Sequence, residues 1–392
     1  MAAAPRVAIT GVGAYTCAGR SASELWANAV AGRSGIRDGV GRIDGAAPGE
    51  EKENTARSTF FAAHAAREAM AGARWGTERG SGSKPDALIF ATTTGRIPAW
   101  ERPLVEHLRG NLAAEPFAEV FRSQPLSSAL DGLKQELAFD GRTMLVSSAC
   151  SAATQALALG AMWIRQGRAK RVLVVGAEVL CDLTLAGFGS LQLLAPEGAR
   201  PFDRDRAGIN LSEGAGAVCL EAATEETSGR ALATLAGYGL STDGYHMTSP
   251  HPEGRGSFQA MRQALRTASV RPDEISWVHA HGTGSKHNDA SEGAALAHLF
   301  SEVPTAPYVS STKRIHGHAL GASGAIEAVL CVEAIRRNTI LPTAGLGTPD
   351  AEIRVRHAAG PVEQPVRYIL KNTLGFGGTN ASLVFGAPGG ER

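Results

Sequence analysis

The sequence predicts an α/β fold made of two similar strand–helix halves, and three observations carry that prediction. Short β-branched runs alternate with longer, alanine-rich helical stretches, the pattern of buried sheets covered by helices. A strand running into a helix of small residues occurs twice, at 142–147 into 150–165 and at 308–311 into 321–337. Glycine is abundant, 47 of 392 residues, against about 7% in an average chain. It clusters at strand ends, where backbone turns tightly or approaches a ligand.

In chain order, residues 6–10 read as a first strand, and Ser21 with Glu24 forms a capping-box pattern for a helix ending near Gly32. Segments 50–57 and 77–84 read as polar surface loops, and 87–93 as a second strand. Residues 95–140 mix helix-like patches with prolines and read as an excursion from the sheet core, over a substrate channel or at a subunit interface. A strand at 171–176 follows the first small-residue helix. The polar stretch 224–230 then separates the halves, and 231–240 restarts with a glycine-punctuated strand like 7–13. Strands at 275–278, 308–311, 368–373 and 382–385 complete the second half, giving halves of 1–230 and 231–392. Helices of Ala, Gly and Ser suit a layer packed between two sheets, because small side chains permit close approach while alanine preserves helix propensity.

Composition narrows the function classes. With 43% hydrophobic and 20% charged residues the chain is globular, and a net charge of +1 gives no bulk attraction to nucleic acid. No apolar run approaches the roughly 20 residues that span a bilayer. The N-terminus leads straight into a strand with no signal-peptide pattern, so no membrane is expected. The five cysteines (Cys17, Cys150, Cys181, Cys219 and Cys331) are scattered and odd in number. That usage points to a reducing cytoplasm and leaves one cysteine free for chemistry.

Four segments carry chemistry. In Ser147-Ser148-Ala149-Cys150-Ser151 a strand ends and the cysteine sits at the start of a helix, where unpaired N–H groups favour a thiolate. A lone cysteine is more often structural, but this turn holds a nucleophile exposed at a sheet edge. His279-Ala280-His281-Gly282-Thr283 follows one strand, and Ser311-Thr312-Lys313-Arg314-Ile315-His316-Gly317-His318 follows another. The glycines of Gly375-Phe376-Gly377-Gly378-Thr379-Asn380 let backbone N–H groups face a substrate oxygen, with Phe376 as a gate. Two weaker readings compete. The His-x-His pairs with Asp289 suggest a metal site, yet i and i+2 share a face only in extended strand. Gly11-Val12-Gly13 hints at a dinucleotide loop but lacks the third glycine and an acidic partner.

Together these segments resemble the β-ketoacyl-(acyl carrier protein) synthases of the thiolase superfamily, synthase I/II type. The resemblance extends through Pro201-Phe202-Asp203-Arg204-Asp205-Arg206, Ser212-Glu213-Gly214 and Asp243-Gly244-Tyr245-His246-Met247. It implies a thiolase-like fold, two halves stacked as a five-layered αβαβα sandwich. It also implies that Cys150 is acylated and that His281 and His318 promote decarboxylation of a malonyl thioester. The family lysine falls on Lys313 and its acidic partner on Glu292, while the N–H groups of Cys150 and Phe376 would form the oxyanion hole. Thr283, Ser285, Phe376, Gly377 and Gly378 match pantetheine-binding positions, and Trp100 lies roughly where the acyl tunnel is lined. No metal or organic cofactor is implied, since the phosphopantetheine arm arrives on the acyl carrier protein. The expected assembly is a homodimer, or a heterodimer with a synthase-like partner chain.

The sequence departs from the family pattern after the His-Gly-Thr loop, where Ser285-Lys286-His287-Asn288-Asp289 replaces Thr-Pro and glycine. Arginines that would dock a carrier protein are few, with Arg57, Arg67, Arg200, Arg204 and Arg206 as candidates. Degradative thiolases carry a second reactive cysteine near the C-terminus, and synthase III enzymes pair a histidine with asparagine; neither fits. A non-catalytic partner that sets chain length is the alternative from another class, but such chains lose the nucleophile. The implied activity is therefore condensation in fatty acid or polyketide synthesis, including aryl-polyene systems.

Overall fold

The computed structural model describes residues 5–45, 55–76 and 84–389. Of the two polar loops expected from sequence, 50–54 and 77–83 lie outside these residues, while 55–57 open a helix.

The first half contains strands β1 (Val7–Thr16), β2 (Ala87–Ala91), β3 (Arg142–Val146), β4 (Arg171–Glu178) and β5 (Gly214–Ala222). Its helices are α1 (Ala22–Val30), α2 (Thr55–Gly72), α3 (Ile97–Leu108), α4 (Ala114–Phe121), α5 (Ser127–Glu136), α6 (Ala152–Arg165), α7 (Asp182–Ser190) and α8 (Glu225–Ser228). The second half contains β6 (Ala233–Thr242), β7 (Ile275–His279), β8 (Tyr308–Ser310), a small ribbon of β9 (Thr339–Ile340) and β10 (Val362–Glu363), then β11 (Tyr368–Gly375) and β12 (Thr379–Gly386). Its helices are α9 (Arg255–Ala268), α10 (Lys286–Leu299), α11 (Lys313–His316) and α12 (Ser323–Arg337).

The two halves repeat one pairing scheme. In the first, β3, β2 and β4 are parallel, and β5 and β1 add antiparallel strands. In the second, β8, β7 and β11 are parallel, and β12 and β6 add antiparallel strands. Only the register pairs Ala8↔Thr234 and Ile9↔Ala233 join β1 to β6, making one ten-stranded order from two five-stranded halves. Helix α2 covers the outer face of the first half and α9 that of the second, while α6 and α12 touch strands of both. The result is the five-layered αβαβα sandwich.

Close packing explains the small residues. Every residue of α12 from Ser323 to Ile335 is buried, and a side chain at Gly324 would meet the Thr154 backbone and hydroxyl of α6 within 2.6 Å. The Gly11–Gly13 pair is not a dinucleotide loop. Both residues lie inside β1, where a Cβ would strike the α2 carbonyls of Ala69 and Ala65 at 2.0 and 2.1 Å. These glycines seat a helix on a strand. The 95–140 excursion forms α3 to α5, with Val105, Leu108 and Phe121 exposed. The β3 strand at the end of the sheet is half open to solvent.

Candidate active site

The nucleophile turn lies between β3 and α6. Ala149, directly before Cys150, has φ 43°, a left-handed conformation unusual for a residue with a side chain. Ser151 Oγ donates to the Ser148 carbonyl at 2.8 Å, and Gln155 Nε2 donates to Ser148 Oγ at 2.8 Å. Cys150 precedes the first turn of α6 by two residues and is buried. Burial pushes its thiol up to about 11, against the pull of the Lys313 ammonium and of the Phe376 backbone N–H. Desolvation thus outweighs the ammonium and the backbone donors. The resting group is a thiol that needs a base.

His318 is placed to serve as one. His318 Nε2 lies 3.1 Å from Cys150 Sγ, and its Nδ1 is 2.9 Å from Ser323 Oγ. A proton on Nδ1 donated to Ser323 leaves Nε2 free to accept from the thiol. His281 meets His318 edge to face, with ring centroids 5.3 Å apart, and its buried Nδ1 has no partner. Burial, then the nearby Lys313 ammonium, holds both imidazoles well below the usual histidine range, so both are neutral at pH 7.

Lys313 Nζ donates to the His281 carbonyl at 3.0 Å and ion-pairs with Glu327. Glu292, expected from sequence to be the lysine's partner, does something else. Its two oxygens accept the backbone N–H groups of His281 (2.7 Å) and Gly282 (2.8 Å), and Asn372 Nδ2 adds a third bond at 2.8 Å. Glu292 therefore shapes the histidine loop. Lys313 turns instead to α12, because that helix runs through the middle layer between the sheets.

A cavity of about 240 Å³ opens onto Cys150, His281 and His318, with Thr283, Ser285, Phe376 and Gly378 on its walls. Leu191, Leu193 and Ile209 supply an apolar side. Phe376 stacks on Phe188 of α7 at 5.4 Å. The backbone N–H groups of Phe376 and Cys150, the pair expected from the sequence as an oxyanion hole, both act on the thiol. Gly377 does not join them. It is exposed, and its N–H donates to the Met247 carbonyl at 2.7 Å. Trp100 sits on α3 with its ring 5.5 Å from Phe121, and it is not among the residues lining this cavity.

Several sequence features resolve into structure. His279 and His316 face away from the cavity and both hydrogen-bond Thr312 Oγ1, at 3.0 and 2.9 Å. Asp289 accepts from the backbone of Phe202 and Gly284, so the metal reading that used it does not assemble. The donor atoms of Cys150, His281 and His318 do lie within 4.8 Å of one another, a set that could also take a soft cation. Arg57 is tied to buried Glu213 and Arg206 to Asp350, which removes both as docking arginines. Sequence reasoning missed Glu327 and Lys371, although a lone carboxylate in a small-residue helix and a lysine inside an apolar strand were visible signals.

Comparison with known proteins decides the family. Residues 44–226 match the Beta-ketoacyl synthase, N-terminal domain, and residues 232–347 match the Beta-ketoacyl synthase, C-terminal domain. The chain belongs to the β-ketoacyl synthase family. It is 32% identical to nodulation protein E of Rhizobium meliloti, over 97% of this chain and 98% of that one. It is 29% identical to 3-oxoacyl-[acyl-carrier-protein] synthase 2 of Synechocystis sp., over 97% of each. Among solved structures it is similar to the ishigamide ketosynthase/chain length factor, with TM-score 0.89, 30% identity, and coverage of 99% of this chain and 100% of that one. As a ketosynthase it is an acyltransferase-class enzyme with a thiolase-like fold. No helix among the described residues is long and apolar enough to cross a membrane.

Proposed function

We propose that this chain is a working β-ketoacyl-ACP synthase that carries out decarboxylative Claisen condensation. The observation that carries this reading is the 3.1 Å contact of His318 Nε2 with Cys150 Sγ at the wall of the cavity. His318 takes the thiol proton as sulfur attacks an acyl thioester of the carrier protein. The acyl group moves to Cys150, and the carrier thiol leaves with a proton. A malonyl thioester then enters. Ser323 Oγ now donates to His318 Nδ1, so that the neutral His318 carries its proton on Nε2, and His281 and His318 both donate N–H bonds to the thioester oxygen. Loss of CO2 leaves an enolate stabilised by those bonds. The enolate carbon attacks the acyl-Cys150 carbonyl, whose oxygen is held by the Phe376 and Cys150 N–H groups. Collapse forms the β-ketoacyl carrier thioester and expels Cys150 as a thiolate, which takes up one proton from solvent to restore the thiol. The largely apolar walls of the cavity strengthen each hydrogen bond and, with substrate seated, limit the access of water to the carbanion. Thr283 and Ser285, joined at 3.1 Å, offer hydroxyls to the pantetheine arm.

The solved relative that pairs a ketosynthase with a chain length factor favours a second reading, in which this chain works beside a similar partner. The open edge of β3 and the apolar α3–α4 face are consistent with such an assembly, whether homodimer or heterodimer. A purely chain-length-setting role is disfavoured by the intact Cys150–His318 contact. In that frame Trp100 borders the acyl tunnel. Trp100→Ala should lengthen the product distribution by at least one two-carbon step, and unchanged product lengths would remove it from the tunnel.

The deciding experiment incubates the protein with acyl-carrier substrates and malonyl-carrier protein, with and without a co-expressed partner chain. Mass spectrometry reads acyl-Cys150, and CO2 release reads decarboxylation. Cys150→Ala should abolish acyl transfer while keeping some decarboxylation. Condensation that survives in this variant refutes the assignment.

A further inference from the structure

Behind the cavity lies a group of charges that the condensation chemistry does not itself use. Lys371, in β11, is completely buried. Its Nζ is 2.9 Å from Glu327 Oε2, the oxygen that Lys313 leaves free, since Lys313 takes Oε1. Thr154 Oγ1 accepts from Lys371 at 3.0 Å, and Thr373 Oγ1 accepts as well. With the Asn372 carbonyl at 3.4 Å, three oxygens accept from Nζ, matching the three N–H bonds of an ammonium, while Glu327 Oε2 faces it as an ion-pair partner outside hydrogen-bond alignment. Burial lowers Lys371 and the Glu327 carboxylate opposes that shift.

These partners come from each element that builds the site. Thr154 is on α6, the helix that follows Cys150, and Thr373 is three residues before the Phe376 oxyanion position. Glu327 is on α12, and through Lys313 it reaches the His281 carbonyl. Two ammoniums share one carboxylate, leaving this buried group a net charge of +1. Leaving an unpaired charge in a dry interior is expensive; where it persists beside reacting groups, it acts on their protonation.

We propose that Lys371 is a positioning residue of the condensing site: it fixes the second oxygen of Glu327 and supplies the uncompensated positive charge that favours thiolate on Cys150 and neutral imidazole on His281 and His318. This rests on the condensing function proposed above. The groups facing Cys150 are His318 and His281 from the two histidine loops, Lys313 from α11, Glu178 from the end of β4, and the Phe376 N–H. Around Lys371 stand Glu327 and Cys331 of α12, Lys313, and His279. In keeping with the charge, Lys371 is among the groups that lower His281 and His318, after burial and Lys313. The buried carboxylate of Glu327 is held well below its usual range because the two ammoniums overcome burial.

The test orders variants by the charge of the group. Lys371→Met brings it to zero, wild type has +1, and Glu327→Gln raises it to +2. The double variant Lys371→Met/Glu327→Gln returns it to +1 without the bridging geometry. Iodoacetamide alkylation of Cys150, read as initial rates by mass spectrometry across pH 8–12, reports the thiolate without any need for condensation. The pH midpoint should move alkaline in Lys371→Met and acid in Glu327→Gln, each by about one pH unit. The double variant should regain the wild-type midpoint yet release CO2 from malonyl-carrier protein at least tenfold more slowly. Should Lys371→Met not fold, the step from Glu327→Gln to the double variant isolates the same charge. Superimposable alkylation profiles with only a lower Tm would make Lys371 structural and overturn the proposal. Absence of decarboxylation in wild type would instead sink the condensing function, with the alkylation series still readable.

Discussion

The two His-x-His pairs, His279/His281 and His316/His318, split in the same way: one member of each faces the cavity and the other faces Thr312. His281 and His318 meet edge to face at the cavity wall beside Cys150. His279 and His316 share the Thr312 hydroxyl, and each has an Nδ1 without a partner. Burial lowers all four, with His279 brought down to about 3 and His316 to about 4. A perturbed imidazole therefore does not mark catalysis here. What separates the pairs is access to a thiol and a cavity, so function should follow contact while acid stability should follow burial.

The largest effects should come from the front pair. His281→Ala and His318→Ala should each lower CO2 release from malonyl-carrier protein by about 10²–10⁴-fold. They should differ on the first half-reaction. His318→Ala removes the group 3.1 Å from Sγ and should slow acylation of Cys150, whereas His281→Ala should leave acylation within about threefold. Rapid-quench mass spectrometry separates the two. Equal acylation in both variants would mean that His318 is not the base for the thiol.

A smaller effect tests how the front loop is held. Glu292→Gln places an NH2 group where a carboxylate oxygen accepts the N–H of His281 or Gly282. Two facing donors cost about 1–3 kcal/mol and displace the loop. Decarboxylation should drop about tenfold to a hundredfold while acyl-Cys150 still forms. An unchanged decarboxylation rate would show that the loop keeps its shape without the carboxylate.

This substitution also marks where the sequence stopped being legible. Cys150, His281 and His318 could be read because a strand, a glycine turn and a small-residue helix follow one another locally. The repeated halves could be read because the same strand–helix order recurs. The partner of Lys313 could not, since Glu292 and Glu327 lie on different helices and only the stacking of layers decides which one reaches the ammonium. Nor did the glycine run reveal which of its N–H groups point inward: Phe376 faces Cys150, while Gly377 is spent on Met247. Likewise Gly11 and Gly13 resemble a loop until the approach of α2 explains them.

The rear pair should be felt in acid. A histidine held neutral in the fold adds stability above its unfolded value near 6.5, and that stability is lost as pH falls toward the folded value. The window for His279 and His316 therefore runs from about pH 6.5 down to about 3 and 4. Thermal melts should show Tm falling through that window. His279→Gln/His316→Gln should flatten the slope even if it lowers Tm at pH 7. If the slope keeps its wild-type steepness, the acid sensitivity belongs to other groups.

The finest cut is Thr312→Val, which removes the one hydroxyl both rear imidazoles share. A hydroxyl has a single proton to give, so it donates to one ring and accepts from the other. Its loss leaves two buried nitrogens unsatisfied and should cost about 1–3 kcal/mol of stability, read by denaturant unfolding. The front pair keeps its own contacts, His318 with Ser323 and Cys150, and the His281 loop with Glu292 and Lys313. Condensation at pH 7 should then stay within about threefold of wild type. A loss of activity at full stability would show instead that the rear pair sets the front one, through the single residue between Thr312 and its neighbour Arg314, Lys313.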